Sequence, residues 1–238
     1  MPRTFVLVPG AWHGSWCWQR LEPLLTAQGH RVVLPELAAT GADHTDPRGI
    51  KLDTWTRQIQ DVVSAESQPV MLVGHSRGGA VISRVAELGP ENIRCLVYLA
   101  GYLLPAGRSV ADESRADAGS LVASNMLPAD SGVTCTLDPG IAHQAFYGDC
   151  DEQTAAFALA RLRPEPLRPL VTPLRVTAEK FGQVPRAYVE CTRDRTISLD
   201  SQRRMQAAWP CAPVLTLESD HSPFLSHAKP LAEWLGRL

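Results

Sequence analysis

A chain of 238 residues, 45% hydrophobic and 20% charged, is long and apolar enough to bury a core as one domain, which excludes a disordered chain and a disulfide-stapled miniprotein. Lysine and arginine total 23 against 25 acidic residues, so the formal charge of -2 offers no electrostatic basis for binding nucleic acid or an anionic membrane. The six cysteines form no CxxC pair and signal neither a zinc site nor a disulfide framework.

Short apolar runs alternate with amphipathic segments along the chain. Residues 5–8 form the first run, too short for a secretory signal and followed by glycine rather than a cleavage site. No run reaches membrane-spanning length, and a cytoplasmic protein is expected. Gly29 and Gly89 are predicted helix stops. Leu52, Trp55, Ile59, Val62 and Val63 share one face of a helix with Asp53 as its N-cap. Further strands are predicted at 31–34, 69–74, 95–99, 187–191 and 214–217, and such continuously apolar runs suit a parallel sheet covered on both faces. The alternation predicts an α/β fold in a single domain, 1–238, with a doubly wound, mostly parallel sheet of about six strands. From about 101 to 183 no strand-like run appears. This interval is predicted to be a cap inserted over the carboxyl edge of the sheet, with a helix starting near Asp151, because so long a loop without structure is uncommon. Cys95 and Cys191 are expected as buried thiols; Cys135 and Cys150 could pair, although free thiols are the expectation.

The sharpest chemical signal is Val73-Gly74-His75-Ser76-Arg77-Gly78-Gly79, an apolar strand that runs through Gly-x-Ser-x-Gly into a helical segment. Small residues two before and two after Ser76 allow the strained strand-to-helix turn of a nucleophile elbow. A serine hydroxyl is a weak nucleophile at neutral pH, so a base must reach it and an acid must orient that base. Seven histidines are available. His30 and His44 are expected at the surface, His143 in the cap and His227 in the last helix, and alternation points His75 away from Ser76. His221 follows the last strand and precedes Ser222-Pro223, an N-cap and first position of a helix, which puts it at the carboxyl edge. Asp194 follows the preceding strand, whereas Asp200 falls in the next helix and Asp220 beside His221 points elsewhere. The order Ser76, Asp194, His221 is that of α/β-hydrolase triads. Oxyanion donors are expected at the backbone of Arg77 and of Ala11, the latter in the glycine-bearing loop Pro9-Gly10-Ala11-Trp12-His13-Gly14. His13 is expected to hydrogen-bond within that loop. Trp12, Tyr102, Phe146 and Tyr147 are candidates for the substrate pocket, and Trp16 and Trp18 are expected in the core.

Taken together, residues 5–14 (Phe-Val-Leu-Val-Pro-Gly-Ala-Trp-His-Gly), 74–79 (Gly-His-Ser-Arg-Gly-Gly), 191–194 (Cys-Thr-Arg-Asp) and 219–221 (Ser-Asp-His) resemble the α/β-hydrolase superfamily, in the branch of plant methyl esterases, hydroxynitrile lyases and bacterial salicylate-type esterases. The resemblance implies a cofactor-free serine carboxylic ester hydrolase for small, aromatic or methyl esters, with Ser76, His221 and Asp194 as triad and Ala11 and Arg77 as oxyanion donors. It departs from the branch at Pro9, where a His is usual, and at Arg77, where plant members carry Leu or Cys. A hydroxynitrile lyase is the nearest competing activity, but lyases of this branch have a Lys after the catalytic His and a Thr at the position of Gly10, where this chain has Ser222 and a glycine. A natural-product tailoring hydrolase for a lactone or thioester is also compatible with the triad, and so is a ligand receptor on a hydrolase fold. The expected partner is a small-molecule ester; the oligomeric state is not set by the sequence, a homodimer being one option.

Overall fold

The computed structural model describes residues 1–238. The first half of the chain supplies strands β1 (Thr4–Val8), β2 (Arg31–Val33), β3 (Val70–His75) and β4 (Ile93–Leu99), with helices α1 (Glu22–Ala27), α2 (Leu52–Ser64) and α3 (Gly78–Leu88) between them. A segment of different character follows: α4 (Val110–Ala116), β5 (Met126–Ala129), β6 (Thr134–Leu137), α5 (Pro139–Phe146), α6 (Glu152–Leu159), β7 (Glu165–Pro166) and α7 (Leu167–Val171). The chain then returns with β8 (Arg186–Cys191), α8 (Leu199–Ala208) and β9 (Val214–Leu217), and ends in α9 (Pro223–Ser226) and α10 (Ala228–Leu235).

Six strands make the central sheet, in the order β2-β1-β3-β4-β8-β9, and every pairing is parallel. Every residue of β3 is buried, as the uninterrupted run Val-Met-Leu-Val-Gly-His requires of an inner parallel strand covered on both faces. Strand order reverses at β1, which has β2 on one side and β3 on the other. The loops after β1 and β3 therefore open side by side at the carboxyl edge, the position where open α/β sheets bind ligands. The loops after β8 and β9 are neighbours on the same edge.

Several local expectations are corrected. Between β4 and β8 the chain forms a second, three-stranded antiparallel sheet, β5-β6-β7, where no strand was expected. Its strands are two to four residues long, two of them contain proline, and β5 is largely exposed, so no apolar run marks them. Helix α6 does begin after Asp151, whose carboxylate caps it by accepting the Thr154 amide at 2.7 Å. The cap of helix α2 lies two residues earlier than expected, at Lys51, and Asp53 sits in the first turn, where its charge suits the helix N-terminus. His30 is buried rather than at the surface: its Nδ1 accepts the Arg3 amide, and its ring packs edge-on against Phe5. His227 lies at the break between α9 and α10, not within one helix. All six cysteines are unpaired, Cys191 buried and Cys95 half-buried.

Candidate active site

Ser76 stands between β3 and α3 with φ of 50°, a left-handed conformation that costs about 1–3 kcal/mol in a non-glycine residue. The turn is tight enough that a Cβ on Gly74 would lie 2.7 Å from the Gly78 carbonyl, and one on Gly78 would lie 2.7 Å from the Val8 carbonyl. The spacing of glycines around Ser76 is thus a requirement of strand–helix packing. The Ser76 amide donates to the Leu99 carbonyl, and its own carbonyl accepts from Gly79 and Tyr102, so the backbone is held on both sides.

His221 and Asp194 are brought together from the loops after β9 and β8. His221 Nδ1 donates to Asp194 Oδ2 at 2.7 Å, with both side chains almost wholly buried. That bond fixes the tautomer and leaves Nε2 as a base. Asp194 is held in turn by the Thr196 and Ile197 amides, which donate to Oδ1 at 2.7 and 2.9 Å, and by Gln202, which donates to Oδ2. Neighbouring charges are occupied elsewhere: Arg193 pairs with Asp149, Asp200 is exposed on α8, and Asp220 accepts from the Asp149 and Ser222 amides and the Ser226 hydroxyl. Burial raises the Asp220 pKa above the usual carboxylate value.

His75, which precedes Ser76, turns behind the base. Its Nε2 donates to the His221 carbonyl at 3.0 Å and its ring centroid is 4.5 Å from that of His221. Burial holds His75 neutral, with its pKa pushed well below the ordinary value. His13 lies within its loop as expected. Its Nδ1 donates to the Ala11 carbonyl and its Nε2 accepts the Tyr147 hydroxyl, both at 2.7 Å, and burial lowers its pKa to about 3.

The loop after β1 passes beside Ser76, and a Cβ on Gly10 would lie 2.6 Å from His75 Nδ1. Neither the Ala11 nor the Arg77 amide donates within the protein. The Arg77 guanidinium lies buried away from solvent: Nη2 donates to the Gly10 carbonyl at 2.9 Å, Nε is 2.9 Å from Glu165 Oε1, and the group stacks 4.2 Å over the Trp55 ring. Glu165, on β7, was not singled out by the sequence, where Pro-Glu-Pro carries no sign of burial; it is fully enclosed.

A small cleft, about 30 Å³ in volume, opens over Ser76. Trp12 and Tyr102 line it, together with Val122, Met126 and Leu170 from the segment after β4. The sequence did not mark these three as pocket residues, because a loop and elements as short as β5 and α7 carry no readable period. Phe146 and Tyr147 are corrected: neither lines the cleft. Both are buried beneath it, Phe146 packed against Trp12 and His221, Tyr147 bonded to His13. Of Trp16 and Trp18, only Trp18 is fully enclosed.

The Alpha/beta hydrolase family matches residues 5–234. The chain is 32% identical to Salicylic acid-binding protein 2 of Nicotiana tabacum over 84% of its own length and 83% of the relative's. It is 30% identical to Methylesterase 1 of Arabidopsis thaliana, over 97% and 93%. Among solved structures, a methylesterase protein from Arabidopsis superposes with a TM-score of 0.84 at 26% identity, covering 99% of this chain and 98% of the other. With a parallel six-stranded sheet, a serine on its strand–helix turn and this extent of similarity, the chain belongs to the alpha/beta hydrolase family.

Proposed function

We propose that the chain hydrolyses small, uncharged carboxylic esters, aromatic or methyl, through an acyl-enzyme on Ser76. It is an ester hydrolase of the carboxylesterase type, as its similarity to the methylesterases supports. The observation that supports the mechanism is the 2.7 Å bond from His221 to Asp194, together with a serine at positive φ on the strand–helix turn. Ser76 Oγ attacks the ester carbonyl, His221 Nε2 takes its proton, and Asp194 stabilises the imidazolium. The free amides of Ala11 and Arg77 hold the oxyanion. His221 then protonates the departing alcohol, and water repeats the sequence on the acyl group. Arg77 is the only charged residue among those lining the cleft, and its guanidinium is turned away onto Glu165, which favours a neutral acyl group.

Two observations favour an ester over a cyanohydrin. A side chain at residue 10 would run into His75, so no hydroxyl can be offered there, and the Arg77 guanidinium is engaged with Gly10 and Glu165 instead of being free to receive cyanide. The test is a panel of methyl and aryl esters, a lactone, a thioester and mandelonitrile against one preparation. A burst of chromophoric alcohol from the aryl ester, with no cyanide above the uncatalysed rate, is expected. Cyanide release that disappears in Ser76→Ala, without ester turnover in the wild type, overturns the reading, and so does ligand binding with no turnover of any of the panel.

A further inference from the structure

An ion pair in which both side chains are 1% exposed is a costly arrangement, because desolvation of two charges can outweigh their attraction. Burial acts on both groups in that sense, raising the Glu165 pKa and lowering that of Arg77, against their mutual attraction. Its remaining contacts say what it holds. Arg77 Nη2 takes the Gly10 carbonyl at 2.9 Å, and Glu165 Oε2 takes the Trp12 amide at 3.0 Å. Gly10 and Trp12 flank Ala11. In a trans peptide the carbonyl and the following N–H point in opposite directions, so binding the Gly10 carbonyl on one side aims the Ala11 N–H to the other. The Ala11 carbonyl is bound by His13 at 2.7 Å, which leaves its amide as the free group of this turn. Trp12 has φ of 62°, a conformation the chain keeps only under restraint, and the restraints come from beyond the loop: Glu165 on its amide, the Arg163 amide on its carbonyl, and the Cys135 carbonyl on its indole N–H.

Resting on the acyl-enzyme reading above, we propose that Arg77 and Glu165 are positioning residues for the oxyanion site: the buried pair clamps the Gly10–Trp12 backbone so that the Ala11 amide faces the substrate oxygen, and it ties that geometry to β7 in the segment that walls the cleft. One residue therefore serves twice, Arg77 giving its amide to the oxyanion and its guanidinium to the alignment of the second donor. The transition state feels this alignment more than the ground state, since the oxyanion carries charge only after attack.

The experiment compares wild type, Glu165→Gln and the double variant Arg77→Met with Glu165→Met in hydrolysis of 4-nitrophenyl acetate, in inhibition by phenylboronic acid, which forms a tetrahedral adduct on the serine, and in thermal melting. Replacing both members of a buried pair with apolar residues of similar length restores packing without charge. The double variant is expected to melt near the wild type while kcat falls by about 10²- to 10³-fold, the loss typical of one oxyanion donor. KM should change by no more than about threefold, and the boronate should bind more weakly by a factor close to that in kcat. Wild-type kcat and boronate affinity in the double variant would overturn the proposal and make the pair a structural feature alone. Should the double variant not fold, Glu165→Gln decides: unchanged kcat and unchanged boronate affinity overturn it, and a parallel fall in both supports it. Failure of a fluorophosphonate to label Ser76 in the wild type would instead remove the acyl-enzyme reading itself, and the inference with it.

Discussion

The central sheet and the segment between β4 and β8 are built on opposite terms. The sheet has long inner strands that are buried along nearly their whole length, Arg94 near the start of β4 being exposed, and its parallel ladders hold four loop ends in fixed relation at one edge. The segment after β4 has strands of two to four residues and shows solvent a leucine, Leu127, that is 52% exposed. The groups assigned to bond making all stand on the sheet's edge, where placement is rigid; the later segment gives apolar walls, which need shape more than angle. Glu165 is the exception, a charge from that segment buried against the elbow. Chemistry should therefore be lost in large steps on the sheet side, and selectivity in small ones on the other.

Ser76→Ala makes the largest test. Without the nucleophile, kcat should fall on the order of 10⁶ with little change in melting temperature, since the hydroxyl adds little packing. Wild-type turnover in a folded Ser76→Ala protein would break the division outright. Asp194→Asn comes next: the amide would hold the imidazole in the wrong tautomer, with a loss of about 10⁴ in kcat. Asp220→Asn and Asp200→Asn should each stay within about tenfold, because neither carboxylate touches His221; an equal loss at Asp220 would move the acid.

Stability sharpens the contrast further. Leu72→Ala, at a fully buried position of β3, should cost about 2–5 kcal/mol in urea unfolding, while Leu127→Ala on β5 should stay within about 0.5 kcal/mol. Equal costs would mean that the two regions do not differ in packing. Met126→Ala enlarges the cleft wall, so discrimination between acyl groups differing in size should shift by about 10- to 200-fold in kcat/KM ratio, with kcat for an acetate ester nearly unchanged. A further contrast lies in acid. His13 is held neutral, with its pKa lowered from 6.5 to about 3, and His75 is displaced the same way. Below pH 6.5 the unfolded chain binds protons that the folded chain refuses, so stability present above that pH is lost as pH falls, by up to about 1.4 kcal/mol per pH unit for each histidine. Urea midpoints measured from pH 7.5 to pH 5 should decline, and less steeply in His13→Gln; a flat profile contradicts the neutral cluster.

Sequence alone was enough to read the six runs that became the central sheet, to within two residues at each end: the four inner strands bury both faces and so write themselves as apolar stretches, and the edge strands β2 and β9 are apolar although partly exposed. It also singled out Ser76, Asp194 and His221, since a tight turn demands glycines at set spacing and the other two follow strand ends. Side-chain partners across the fold were out of its reach. Nothing near Glu165 announces that it is buried, that it meets Arg77 from another layer, or that His75 turns to the His221 backbone. Phe146 and Tyr147 were assigned to the pocket on residue type, yet their depth depends on how α5 seats against the β1 loop. Periodicity reports which face of an element is dry; which charge meets which across that dry space depends on distances between elements far apart in the chain, and those exist only once the layers have packed.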